Sequence, residues 1–236
     1  MIPGYKIFGV LPLYYTFHAV AFIALFAFLV TQSKHYKIPK WKACVSTVVI
    51  YAASYAWMLF MYWASTGFKN FGGQNIVRIF VWVPIFVWIT AKVMKINWRD
   101  LGDLVAPCLT LNHGIAHIAC IFQGCCYGYE CSWGVYNAVL DKRLFPIQIL
   151  EALTALAITA YLYHLMRKKK YKTEGMLYPL MLILFGSTRF IWEFFRDNQK
   201  IAWGISGLAG HALLMTLVGI AWYAAYTNKK PKKKAS

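Results

Sequence analysis

Arg189 and Glu193 stand four residues apart, and Arg196 lies seven beyond Arg189, so a helix through them carries two guanidiniums and a carboxylate on one stripe. An ion pair between Arg189 and Glu193 is geometrically available. Guanidiniums offer forked, permanently charged donors that match phosphate oxygens, which makes a phosphate the natural ligand of such a stripe. His113, His117, Cys120 and Gly124 follow an i, i+4, i+7, i+11 course that aligns two imidazoles and a thiol. Two chemistries are open for that pattern. A histidine could take a proton from an attacking group, or His–x3–His spacing could let both rings share one metal ion. Taken singly, each histidine could equally be a hydrogen-bonded structural residue. Six cysteines are present, at 44, 108, 120, 125, 126 and 131. The adjacent pair Cys125 and Cys126, with Cys131 nearby, could be redox active or include a bridge, whereas Cys44 and Cys108 fit buried small apolar residues.

The elements that must position these groups are membrane helices. The chain of 236 residues is 60% hydrophobic and 18% aromatic with only 14% charged residues, which excludes an ordinary soluble domain. A helix needs about 20 apolar residues to cross a bilayer core, and suitable stretches lie near 8–31, 43–65, 77–94, 103–126, 147–166, 175–195 and 205–226. The expected fold class is all-α, a polytopic membrane protein of about seven transmembrane helices. The fourth stretch is the most polar, with Asp103, Asn112, His113, His117 and Gln123, which suggests burial against the others. The amino-terminal Met-Ile-Pro-Gly-Tyr-Lys lacks a basic cluster, and the run that follows is too long for the apolar region of a signal peptide, so it reads as the first span. Residues 1–228 are expected to form one transmembrane domain and 229–236 a basic cytoplasmic tail.

The net charge of +17 sits in clusters between apolar stretches rather than along one face, so it reads as topology and not as nucleic-acid binding. Connections after the first, third and fifth stretches hold Lys34, Lys37, Lys40 and Lys42; Lys92, Lys95 and Arg99; and Arg167, Lys168, Lys169, Lys170 and Lys172. The tail adds Lys229, Lys230, Lys232, Lys233 and Lys234, whereas the other side holds only scattered bases. The positive-inside rule then puts the amino terminus outside and the carboxyl terminus in the cytoplasm. It also gathers Tyr15, His117, Cys120, Gln123, Cys125, Glu151, Arg189, Glu193 and Arg196 in the middle or outer half of the membrane. Ionisable groups within a membrane cost about 2.5–3.5 kcal/mol each on insertion scales and usually face a cavity or a partner. A structural alternative is that Glu151, Arg189 and Glu193 merely lock helices together.

These residues, in this order, resemble the prolipoprotein diacylglyceryl transferase family. The resemblance rests on Tyr15; Phe71-Gly72-Gly73; the Asp-Leu-Val-Ala-Pro segment from Asp103 to Pro107; the segment from Ala116 to Gly128 ending Gly-Cys-Cys-Tyr-Gly; Pro146 to Glu151; and Arg189 to Arg196. It implies a seven-span enzyme of the bacterial cytoplasmic membrane with its active site toward the outer face. Such an enzyme moves the diacylglyceryl unit of phosphatidylglycerol onto the thiol of a lipobox cysteine in a preprolipoprotein. By position, Arg189 and Glu193 would bind and polarise phosphate, Tyr15 and Gly128 would shape the pocket, and Glu151 would order it. His117 or His113 would assist deprotonation. Arg196, Cys120, Gln123, Cys125, Gly72 and Gly73 complete the expected binding surface, with no metal and no soluble cofactor. The chain departs from the family's pattern: His117 replaces an arginine, Cys120 an asparagine, Cys125 an acid, and Phe71 the histidine of a His-Gly-Gly loop. The departures leave another thiol acceptor open, and with it two further readings, a membrane thiol–disulfide or metal-binding protein and a non-catalytic lipid-binding relative.

Overall fold

In lipid, a segment must satisfy its own backbone N–H and C=O groups, so each long apolar run has helix as its default. The computed structural model describes residues 6–7, 11–69, 79–138, 140–170, 173–197, 200–202 and 205–228. Among them seven helices follow the apolar runs: α1 (Leu13–Gln32), α2 (Lys40–Ser65), α3 (Val83–Met94), α4 (Trp98–Gln123), α5 (Ile147–Lys168), α6 (Leu177–Glu193) and α7 (Gly207–Thr227). Helices α1, α2, α4, α5 and α7 are long and apolar enough to cross a membrane. By contrast α3 has 12 residues and α6 has 17, the last turns of α6 holding Arg189 and Glu193.

The all-α expectation requires one correction. Three two-stranded antiparallel ribbons join or precede the helices: β1 (Lys6–Ile7) with β2 (Leu11–Pro12), β3 (Glu130–Asn137) with β4 (Lys142–Leu144), and β5 (Lys200–Ala202) with β6 (Ile205–Ser206). The β3–β4 hairpin fills the link between α4 and α5, where the polar, aromatic-rich sequence has no helical apolar stripe and pairing satisfies the backbone instead.

Helix α4 is the hub, buried along most of its length and packed on α1, α5 and α6. Its start is capped by Asn97, whose side chain accepts from the Arg99 amide at 3.2 Å. Pro107 within it removes a backbone donor, and Thr110, 2.8 Å from Thr159 of α5, ties the two helices together one turn later. Helices α6 and α7 cross closely because both use glycine there. A Cβ on Gly186 would lie 2.6 Å from Thr216 Oγ1, and one on Gly219 would lie 2.9 Å from Ile183.

Alternating helix directions bring the starts of α1, α5 and α7 to the same end of the bundle as the finishes of α4 and α6. The expected tail (229–236) and Lys172 lie outside the described residues, as do Phe71, Gly72 and Gly73.

Candidate active site

Glu151 lies in the first turns of α5 and is 2% exposed. A carboxylate so buried needs cationic or hydrogen-bonding partners. It receives three. Arg189 Nη1 donates to Oε1, Arg196 Nη2 donates to Oε2, and His117 Nδ1 lies 3.1 Å from Oε2. The second acid, Glu193, pairs with Arg189 at 2.8 Å, the expected i, i+4 ion pair, and lies 3.7 Å from Arg196 Nε. Ser206, the N-cap of α7, donates to Glu193 Oε1 at 2.8 Å while accepting from the Ala209 amide at 3.1 Å. Four helices thus contribute to one buried network: α4 through His117, α5 through Glu151, α6 through its charged end and α7 through its cap.

The network is closed in charge but not in hydrogen bonding. Two guanidiniums face two carboxylates, yet Arg189 Nε and Arg196 Nε are buried without a hydrogen-bond acceptor among the described residues, as are both ring nitrogens of His113. A buried unsatisfied donor costs about 1–3 kcal/mol, so the network is less completely satisfied than an ordinary structural ion cluster. His113 is held by aromatic contacts instead, its ring centroid 4.7 Å from Phe185 and 4.3 Å from His117.

These groups line one end of a cavity of about 370 Å³. Its polar end is formed by Tyr14, His18, His113, His117, Cys120, Cys125, Cys126, Arg189 and Arg196. Away from them it runs between α1, α2, α3 and α4 along Leu25, Leu29, Ile50, Met58, Val83, Val105 and Leu109. The shape is amphipathic: cationic and hydrogen-bonding at one end, mostly apolar along the rest.

The wall at the polar end is a loop built to a tight tolerance. Gly124 ends α4 in the left-handed region at φ 71°, and Cys126 adopts φ 59°. Gln148 of α5 donates to the Cys125 carbonyl at 2.7 Å. Gly128 then pairs with Arg196 as a β-bridge and donates to the Phe145 carbonyl at 3.1 Å. A Cβ there would lie 2.6 Å from the Phe195 carbonyl oxygen and 2.8 Å from the Phe145 Cβ. Only glycine lets the three strands of chain meet so closely.

A family model described as prolipoprotein diacylglyceryl transferase matches residues 14–225. The chain belongs to that family. Curated relatives agree with it. One is phosphatidylglycerol–prolipoprotein diacylglyceryl transferase 2 of Clostridium perfringens strain 13, 27% identical over 171 residues, which are 69% of this chain and 66% of the relative. The corresponding transferase of Dehalococcoides mccartyi strain 195 is 25% identical over 169 residues, 68% of this chain and 64% of the relative. That of Campylobacter curvus is 27% identical over 188 residues, 78% and 68% respectively. The chain thus spans about two thirds of the length of the curated relatives it matches.

The fold brings together most of the residues singled out in the sequence. Glu151, Arg189, Glu193, Arg196 and His117 form the buried network, while His113, Cys120 and Cys125 line the cavity beside it. Gly128 holds the loop from behind rather than facing the cavity. Tyr15 points away, 65% exposed, and its neighbour Tyr14 lines the cavity with His18. Gln123, the last residue of α4, is exposed and stands apart from the cavity wall. Sequence reasoning passed over Ser206 and Gln148, whose partners are distant in the chain. The signal for Ser206 was available: Ser-Gly-Leu-Ala before an apolar run is an N-cap pattern.

Proposed function

We propose that this chain transfers the diacylglyceryl unit of phosphatidylglycerol, or a related phospholipid, to a cysteine thiol of a lipobox-containing preprolipoprotein. The observation that carries this reading is the amphipathic cavity, lined at its polar end by Arg189, Arg196, His113 and His117 and by apolar side chains over most of the rest. A phospholipid offers phosphate oxygens to the guanidiniums and an acyl chain to the apolar wall.

The reaction breaks the bond between the glyceryl carbon and its phosphate oxygen as the thiolate forms a carbon–sulfur bond. Charge develops on the departing glycerol phosphate, and Arg189 and Arg196, fixed by Glu151 and Glu193, are preorganised to stabilise it. The thiol proton passes to His117 or His113, the latter having both ring nitrogens unengaged by the described residues.

In this reading all seven helices cross the bacterial cytoplasmic membrane as a single domain, with the amino terminus outside and the lysine-rich tail in the cytoplasm. The reaction then faces the outer side, where newly exported acceptors arrive. The basic clusters at 34–42, 92–99 and 167–172 support that orientation.

The test is to incubate detergent-purified protein with phosphatidylglycerol, with and without a lipobox peptide, and to follow peptide mass and released glycerol phosphate. A thioether-linked peptide with stoichiometric glycerol phosphate is expected. No product, while a family enzyme run alongside makes it, would overturn the acceptor assignment. Undiminished turnover in Arg189→Ala would overturn the phosphate role.

A further inference from the structure

Three thiols converge at the polar end of the cavity. The sulfurs of Cys120, Cys125 and Cys126 all lie within 4.8 Å of one another, and each cysteine is free. The backbone is bent to bring them there. Cys120 sits in the last turn of α4, Gly124 ends the helix with φ 71°, and Cys126 takes φ 59°, a left-handed conformation that non-glycine residues rarely adopt. Gln148 and Asn137 hold the loop from behind through the carbonyls of Cys125 and Gly124, at 2.7 and 3.4 Å. All three cysteines line the cavity.

We propose that Cys120, Cys125 and Cys126 form a three-thiolate site for a Zn2+ ion whose open fourth position faces the cavity and takes the acceptor thiol. Zinc–sulfur bonds of about 2.3 Å in a tetrahedron place sulfurs roughly 3.8 Å apart, within reach of side-chain rotation from the spacing seen here. Thiolate donors select soft or borderline ions over hard ones. Three thiolates and one Zn2+ leave a single negative charge beside the charge-balanced network of Arg189, Arg196, Glu151 and Glu193, whose guanidiniums border the same cavity. A second cluster of ligand type, His113, His117 and Glu151, is poorly suited to a cation because both guanidiniums already engage Glu151. A disulfide would use two of the three thiols and leave the third unexplained.

The site rests on the proposed transfer reaction only for its purpose. An acceptor thiol binding the ion loses its proton to the histidine pair and remains nucleophilic as a bound thiolate. Its sulfur then forms the bond to the glyceryl carbon as the carbon–oxygen bond breaks, the electron pair leaving with glycerol phosphate and the ion unchanged in oxidation state. Positions that carry an asparagine and an acid in the family's usual pattern would thereby gain a different means of activating the same nucleophile.

The experiment uses the full chain in detergent, reduced, and titrates it with Zn2+ against a chromophoric chelator, then with Co2+ as a spectroscopic substitute. One ion per chain and a thiolate-to-cobalt charge-transfer band are expected. Cys125→Ser and Cys126→Ser, and Cys120→Ser if it folds, should each weaken binding about 100-fold or more, since each removes one of only three protein ligands. Cys44→Ser and Cys131→Ser should bind as the parent does. A soluble thiol added to the cobalt form should shift its spectrum. Failure of the folded, reduced protein to bind one ion, binding unaffected by the three substitutions, or a Cys125–Cys126 disulfide that resists reduction would each overturn the site. An unchanged cobalt spectrum with added thiol would overturn its open position. Ion and thiol binding without diacylglyceryl transfer would keep the site and overturn the reaction alone.

Discussion

Two of the buried carboxylates, Asp103 and Glu151, lie at opposite ends of the interior and differ in what surrounds them. Asp103 in α4 accepts from the backbone amides of Gly175 and Leu177, both at 2.7 Å, and so caps the start of α6. Around it, Arg99 stacks over Tyr226 at 5.1 Å and the rings of Trp98 and Trp222 lie 6.2 Å apart. Its partners are backbone groups that need nothing further, and it lines no part of the large cavity. Glu151 is held by two guanidinium side chains that border that cavity. Burial of an acid in a membrane helix is therefore weak evidence of function by itself. Ion-paired side chains that border an open volume are the stronger sign.

The largest expected effect follows from breaking the second site. Glu151→Gln removes the charge between two guanidiniums and leaves Arg189 and Arg196 compensated by Glu193 alone. Breaking one partner of a buried pair typically costs about 3–5 kcal/mol. Thermal unfolding in detergent should show a large fall in midpoint, and transfer to a lipobox peptide should fall about 100-fold or more because the proposed phosphate cradle loses its geometry. Full turnover in a folded Glu151→Gln protein would show that the network only locks helices together.

Asp103→Asn should separate the two sites. The amide keeps one acceptor oxygen but presents an NH2 group to the second backbone amide, at a cost of about 1–3 kcal/mol. The unfolding midpoint should fall, while turnover per folded molecule and KM for the phospholipid stay at parental values. A selective rise in KM without loss of stability would instead connect this end of the bundle to the substrate path.

The sequence made the helices legible because lipid leaves the backbone few alternatives. The seven apolar stretches coincide with α1 to α7, with boundaries displaced by several residues where turns and caps intervene. Spacing along one helix also foretold the Arg189–Glu193 pair. What spacing cannot encode is which helix faces which. Glu151 meets Arg189 and Arg196 across two elements, and its placement depends on α4, α5 and α6 packing together. The convergence of Cys120 with Cys125 and Cys126 depends on left-handed turns at Gly124 and Cys126, the second at a residue type that does not advertise one. The β3–β4 hairpin was hidden because its residues carry no turn signal of the strongest kind between short strands.

Ser206→Ala tests how far the rim of the cradle matters. The substitution removes the N-cap bond to the Ala209 amide and the bond to Glu193 together. Losing such a cap costs about 1 kcal/mol, a modest drop in unfolding midpoint. Because Glu193 also loses a fixed donor, KM for phosphatidylglycerol should rise severalfold with kcat nearly unchanged. A fall in kcat alone would place the serine's influence in the transition state rather than in lipid binding.

The smallest effect is the most local test of the α1 face. Tyr14 lines the cavity, its ring centroid 4.4 Å from that of His18, whereas Tyr15 turns outward. One residue along a helix is a rotation of about 100°, so the two tyrosines cannot share a face. Tyr15→Phe removes an exposed hydroxyl and should leave stability within about 0.5 kcal/mol of the parent, with unchanged KM. Tyr14→Phe should raise KM for the phospholipid by a small factor at most, through loss of one polar group on the cavity wall. Should Tyr15→Phe be the more damaging of the two, α1 would have to turn when lipid binds, presenting to the cavity the face that now lies outside it.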